Sequence, residues 1–121
     1  MRVRGHFREM FMGKTLSTKG SVTMKNLNGT SDKNCKCGSW LDHWKTFAKA
    51  SSTPKCHVAG CNSSAEVGAH VILPKLDNES LRKLNYIAPM CKSHNSQPDT
   101  EFKSKPDSFF VSANKVLTCG A

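Results

Sequence analysis

The stretch CHVAGCNSSAEVGAHVILPKLDNESLRKLNYIAPMCKSHN, Cys56 to Asn95, holds a C-x4-C pair, an isolated histidine in an apolar run and a C-x2-H pair. It opens on a C-x4-C pair, Cys56 and Cys61, and closes on a C-x2-H pair, Cys91 and His94, followed at once by Asn95. Two cysteines on a short loop cannot lie far apart. A second Cys/His pair about thirty residues later is what a structural zinc site needs to close a tetrahedron of sulfur and nitrogen ligands. Cys56, Cys61, Cys91 and His94 are therefore the expected zinc ligands. The competing reading of the same spacing is reduced thiols or disulfide partners that are close only in sequence.

Within the stretch the pattern is turn, strand, loop, strand, turn. Val67 to Leu73 is β-compatible, holds the isolated histidine His70 among apolar neighbours, and is stopped by Pro74. Tyr86 to Met90 is a second strand, whose Pro89 must lie at an edge or at the strand's end. Between them Asp77 to Leu84 suits two helical turns capped by Asn78 or Ser80, and Cys91 to Gln97 starts a helix that Pro98 cuts short.

Upstream, Ser39 precedes Asp42 by three residues, the spacing of a capping box, and Trp40, Leu41, Trp44, Phe47 and Ala48 follow on one helical stripe. This is the strongest helix in the chain, and it should bring the largest single piece of apolar area to the core. Residues 51–54 are expected to end it. Val3, Phe7, Met10 and Phe11 also fall on one helical stripe, so Arg2 to Leu16 is expected as a short basic amphipathic helix ending near Gly13. Residues 17–34 read as a linker, or at most a small hairpin around the alternating Val22 and Met24. The segment Asp99 to Lys105 reads as a polar tail, and Phe109-Phe110-Val111 as a last strand.

The chain has 121 residues, 7% aromatic and 37% hydrophobic, so its core is small and a metal crosslink would supply what apolar burial cannot. No apolar run is long enough for a membrane span. No secretory signal opens the sequence, which points to an intracellular, reducing compartment where thiolates bind metal, while the basic N-terminus leaves organelle targeting open. Cys35, Cys37 and Cys119 lie outside the zinc pattern. They are expected to be neighbours that tie the chain's ends, by a disulfide or by a second zinc site completed by His43; a spare thiol is the plain alternative.

Eighteen Lys and Arg against nine Asp and Glu give a net charge of +9. Seven basic and two acidic residues fall in positions 1–33, a concentration that attracts nucleic acid or an anionic surface, or simply confers solubility. The organisation read from these patterns is a basic arm or linker, residues 1–34, and one zinc-binding domain, residues 35–121, with its core at 56–97. The fold class expected is small α+β.

The order of these residues resembles the HNH endonucleases, the zinc-supported branch of the ββα-metal nucleases. The likeness covers Cys56 to Asn95: a paired-Cys knuckle, a strand carrying a histidine, a second strand running into a cysteine, and a Cys/His turn opening the last helix. It implies a ββα-metal-like core, with His70 as the general base that activates water and Asn95 as a ligand of a catalytic Mg²⁺ or Mn²⁺ ion. The sequence departs from that pattern at three places. Ala69 stands where active members commonly carry a metal-binding aspartate, Asn85 is one residue out of register, and Asn95 offers a single neutral oxygen. Mg²⁺ is normally held by one or two carboxylates. The function expected is thus a zinc-binding HNH-like module that binds nucleic acid or a protein partner without chemistry. A divergent HNH endonuclease, or a structural or assembly protein, are the alternatives.

Overall fold

The computed structural model describes residues 9–11, 15–27 and 38–114, the first three by their backbone alone. They form a small α+β unit built on one curled, wholly antiparallel sheet. In chain order the elements are β1 (Glu9–Phe11), β2 (Thr15–Thr18), β3 (Thr23–Asn26), α1 (Trp40–Ala48), β4 (Val67–Ile72), α2 (Glu79–Arg82), β5 (Tyr86–Met90), α3 (Lys92–Asn95), β6 (Glu101–Lys103) and β7 (Ser108–Ser112). The strands lie in the order β1-β2-β7-β5-β4-β3-β6.

Three expectations outside the central stretch are corrected. Met10 and Phe11 belong to a strand, paired with Ser17 and Leu16, and not to an amphipathic helix. The Thr15-Leu16-Ser17-Thr18 run, β-branched and alternating, outweighs the helical stripe once β7 is there to pair with it. Residues 23–26 are not linker: β3 sits between β4 and β6, with Met24 and Asn26 almost fully buried. A boundary at residue 34 therefore does not separate β1, β2 and β3 from the sheet. Likewise Glu101–Lys103, expected as polar tail, is edge strand β6. Its polarity is what an edge with two exposed side chains needs.

Strand alternation gives the sheet two different faces. On one, Leu16, Met24, Val71, Tyr86, Ala88, Met90 and Phe110 pack with Cys56, Val58, Leu73, Leu76 and Leu81 from the loops and α2. On the other, Ile87 and Val111 pack under Trp40 and Trp44 of α1, flanked by Phe47, Ala48 and Phe109.

The expected capping box starts α1. Ser39 Oγ accepts from the Asp42 N–H at 3.1 Å, and Asp42 Oδ2 accepts from the Ser39 N–H at 3.3 Å. The helix ends earlier than residues 51–54, where Lys49 turns left-handed at φ 57° and its N–H reaches back to the Lys45 and Thr46 carbonyls. Trp44 Nε1 donates to the Phe109 carbonyl at 2.8 Å, so the ring buries its surface without orphaning its N–H. Gly68 lies directly beneath the helix: a Cβ there would come within 2.5 Å of the Trp40 carbonyl carbon.

Pro89 is the penultimate residue of β5. The pairing of β5 with β7 stops at Ile87, so the missing N–H of Pro89 leaves no gap in that ladder. Its carbonyl accepts instead from the His57 N–H at 2.9 Å. Asn78 caps α2 through bonds from the N–H groups of Ser80 and Leu81.

Candidate metal centre

The loop from Cys56 to Cys61 is stitched down before any metal is considered. Cys56 N–H donates to the Ser63 carbonyl at 2.9 Å, and Cys61 N–H closes the turn on the Val58 carbonyl at 3.0 Å. Gly60 supplies the positive φ of 83° that the turn needs. Ala59 N–H donates to the Lys103 carbonyl and Lys105 N–H to the His57 carbonyl, so the loop also covers the outer edge of β6. The second pair arrives from another direction. β5 delivers Cys91 to the cap position of α3, and the single helical turn that follows, with Asn95 N–H bonded to the Cys91 carbonyl at 3.0 Å, brings His94 round to the same side.

The donor atoms of Cys56, Cys61, Cys91 and His94 all lie within 4.8 Å of one another. His94 Nδ1 is 3.2 Å from Cys91 Sγ and 3.6 Å from Cys56 Sγ. Zinc–sulfur bonds of about 2.3 Å and zinc–nitrogen bonds of about 2.0 Å imply tetrahedral edges of roughly 3.5 Å for S···N and 3.8 Å for S···S. The cluster is therefore nearly at the size of a filled site, and its three thiols and one imidazole can hold a metal such as zinc. No disulfide joins Cys56, Cys61 and Cys91.

The environment of the thiols is uneven. Burial pushes the Cys56 thiol up to about 11, against the backbone hydrogen bonds of Val58 and Cys91, which pull it down. Cys61, half-buried, is pulled below its ordinary value, first by a backbone hydrogen bond at Ser63. A bound dication would overcome the first tendency and reinforce the second, because the thiolate is the form that coordinates.

Two residues not singled out in the sequence support the cluster. His57, next to Cys56, places its Nε2 2.9 Å from the Phe109 carbonyl, with its ring edge-on to Trp44 and Phe110. Burial pushes its imidazole below the ordinary value, so it sits neutral between the two faces. Asn26 of β3 sends Nδ2 to the main-chain carbonyls of the turn that carries His94. A histidine beside a ligand cysteine was the available signal for the first; for the second nothing short of β3's place in the sheet would have served.

The proposed catalytic pair is not brought together. His70 pairs with Ile87 across β4 and β5 and shares its face, where its ring stands edge-on to Trp40 at 4.6 Å. It is 9% exposed. Asn26 pairs with Val71, the next residue of β4, and so faces the opposite way; the α3 carbonyls that it meets, that of Asn95 among them, lie on that side. A sheet thus stands between His70 and the helix of Asn95. Ala69 is buried in the apolar core, and the Asn85 carbonyl accepts from Ala113 N–H. Cys35, Cys37 and Cys119 lie outside the described residues, and the Nε2 of His43, fully buried on α1, lies 2.9 Å from the Ser112 carbonyl.

No described helix is long and apolar enough to cross a membrane. No protein-family model matches the chain, and no curated protein or solved structure matches it.

Proposed function

We propose that this chain is a zinc-stapled, HNH-like module that binds nucleic acid through phosphate contacts and carries out no chemistry. The observation that carries the reading is the Cys56, Cys61, Cys91 and His94 cluster. Four protein ligands close a tetrahedron and leave no open position for a reacting water, the property that separates structural from catalytic zinc sites. The likeness to HNH proteins is supported by the paired strands β4 and β5, joined through the short α2, and by α3 after them, with one ligand pair on a loop before the first strand and the other at the turn into the helix.

Absence of chemistry is supported by the same geometry. A phosphodiesterase of this type needs its base and its hard cation on one side of the scissile bond. His70 and Asn95 belong to opposite sides of the sheet, and Ala69 offers no carboxylate. Charge supports the choice of partner. The described residues carry eleven Lys and Arg and eight Asp and Glu, a net of +3, so +6 of the total +9 belongs to the remaining segments, which include Arg2, Arg4 and Arg8.

The test is a gel shift at two salt concentrations beside a plasmid-nicking assay with Mg²⁺ and with Mn²⁺. A salt-sensitive shift without nicking is the expected result. Removing residues 1–8 takes away three arginines but spares β1, and should reduce the slope of log affinity against log salt by about 2.7. Metal-dependent nicking that His70→Ala abolishes, with zinc content intact, would move the protein to the endonucleases. Neither shift nor nicking would leave an assembly role.

A further inference from the structure

We infer that Asn26 is a positioning residue for the metal centre: its side-chain amide clamps the turn that presents His94. The inference rests on the zinc reading and names the group that fixes the fourth ligand. Asn26 ends β3, is 1% exposed, and is turned by its register with Val71 toward α3. Its Nδ2 donates to the His94 carbonyl at 3.0 Å and the Gln97 carbonyl at 3.2 Å, with the Asn95 carbonyl at 3.4 Å. The main chain of the same residue completes the grip. Its N–H donates to the Thr100 carbonyl and its C=O accepts from the Asp99 N–H, both at 3.0 Å.

This grip matters because α3 is short. It spans four residues, too few for helical propensity to maintain, and among the described residues its last carbonyls otherwise find only local donors, Ser96 Oγ and Gln97 Nε2 on the Ser93 carbonyl and the Gln97 N–H on the His94 carbonyl. Asn26 supplies donors to those carbonyls from a residue 68 positions earlier in the chain. His94 is thereby held at both ends, its carbonyl by Asn26 and its ring by the two thiols, with Phe102 edge-on to the ring. The chemistry selects the residue type. An aspartate would set an anion against three carbonyl oxygens, and a serine is shorter and offers one donor where the amide offers two. Groups that orient metal ligands from outside the coordination sphere typically change affinity by about 10- to 100-fold when removed.

The experiment uses the full chain, reduced, with zinc affinity measured by competition against a chromophoric chelator and with Co²⁺ as the spectroscopic probe. Asn26→Ala and Asn26→Asp should bind zinc about 10- to 100-fold more weakly. Their Co²⁺ ligand-field bands should move toward those of His94→Ala, while the thiolate charge-transfer intensity stays that of three sulfurs. Thr18→Ala, a buried change on β2, should lower stability without moving those bands. Unchanged affinity and bands in both Asn26 variants would overturn the clamp alone; a native chain that takes up neither zinc nor cobalt would overturn the zinc reading and the clamp together. If both variants fail to fold, the native zinc-loaded protein decides. Slow exchange of the Asn26 side-chain amide protons is the expected result, and exchange at the solvent rate would overturn the proposal.

Discussion

Both faces of the sheet bury apolar side chains, and among the described residues one of them also carries the Cys56, Cys61, Cys91 and His94 cluster. Under α1, Trp40, Trp44, Ile87 and Val111 bury apolar surface around a helix with a complete capping box. On the other face the loop of Cys56 and Cys61 and the single turn of α3 have little regular structure of their own, and their meeting point is four donor atoms. The difference teaches where a small chain can add a crosslink to a buried face: if the cluster holds zinc as proposed, coordination adds to burial on one face only, and zinc affinity should respond to changes on that face and not to changes under α1.

Removing the metal should have the largest effect. Structural zinc contributes apparent free energies of about 10–16 kcal/mol in zinc-finger peptides near pH 7. Chelation, or Cys91→Ser, should abolish cooperative folding as followed by circular dichroism. A cooperative, native-like transition in excess chelator would erase the distinction between the faces.

Next comes Trp44→Ala, which removes a buried ring together with the indole N–H that donates to the Phe109 carbonyl, leaving that carbonyl with His57 Nε2 at 2.9 Å. A loss of about 3–5 kcal/mol is expected in denaturant unfolding of the zinc-loaded chain. Zinc stoichiometry should not change. If zinc affinity fell in step with stability, the faces would be one cooperative unit, with His57, set between Trp44 and Cys56, as the link.

Gly68→Ala sharpens the geometry of the α1 face. The new methyl would collide with the Trp40 main chain and force the helix outward, a backbone shift that costs about 1–3 kcal/mol. A neutral or stabilising result would mean that α1 does not sit so close to β4. Smallest is Ser39→Ala, which deletes the acceptor for the Asp42 N–H and should cost about 0.5–2 kcal/mol, with no effect on zinc.

Proton competition should act on the metal face alone. The Cys56 thiol is pushed up to about 11 by burial, so coordination must expel its proton at neutral pH. Zinc affinity should therefore rise with pH over the range of about 6 to 8, whereas a flat profile would mean that the thiols are not ligands.

What could be read from residues alone follows local chemistry. The Ser39–Asp42 box, the β4 and β5 runs, the Asn78 cap and each of the two ligand pairs, Cys56 with Cys61 and Cys91 with His94, announce themselves within a few positions. The strands that misled carry short, polar sequences. Thr23–Asn26 and Glu101–Lys103 are strands because of their neighbours: Lys25 lies opposite Ile72 on one side and Glu101 on the other. That pairing is tertiary, and no periodicity within four residues encodes it. The same holds for Met10 and Phe11, whose spacing suits a helix until β2 pairs with them. The resemblance located His70 on a strand but not the face it occupies, which depends on the register of β4 against β3 and β5.

The central claim is that one metal ion joins the knuckle loop to the α3 turn. It is tested most directly by thiol alkylation and peptide mapping of the native, reduced full-length chain, with metal content measured on the same sample. The account predicts bound zinc and protection of Cys56, Cys61 and Cys91 that vanishes together when a chelator is added. A folded, metal-free chain whose three thiols react independently, or a disulfide between any two of them, would contradict it.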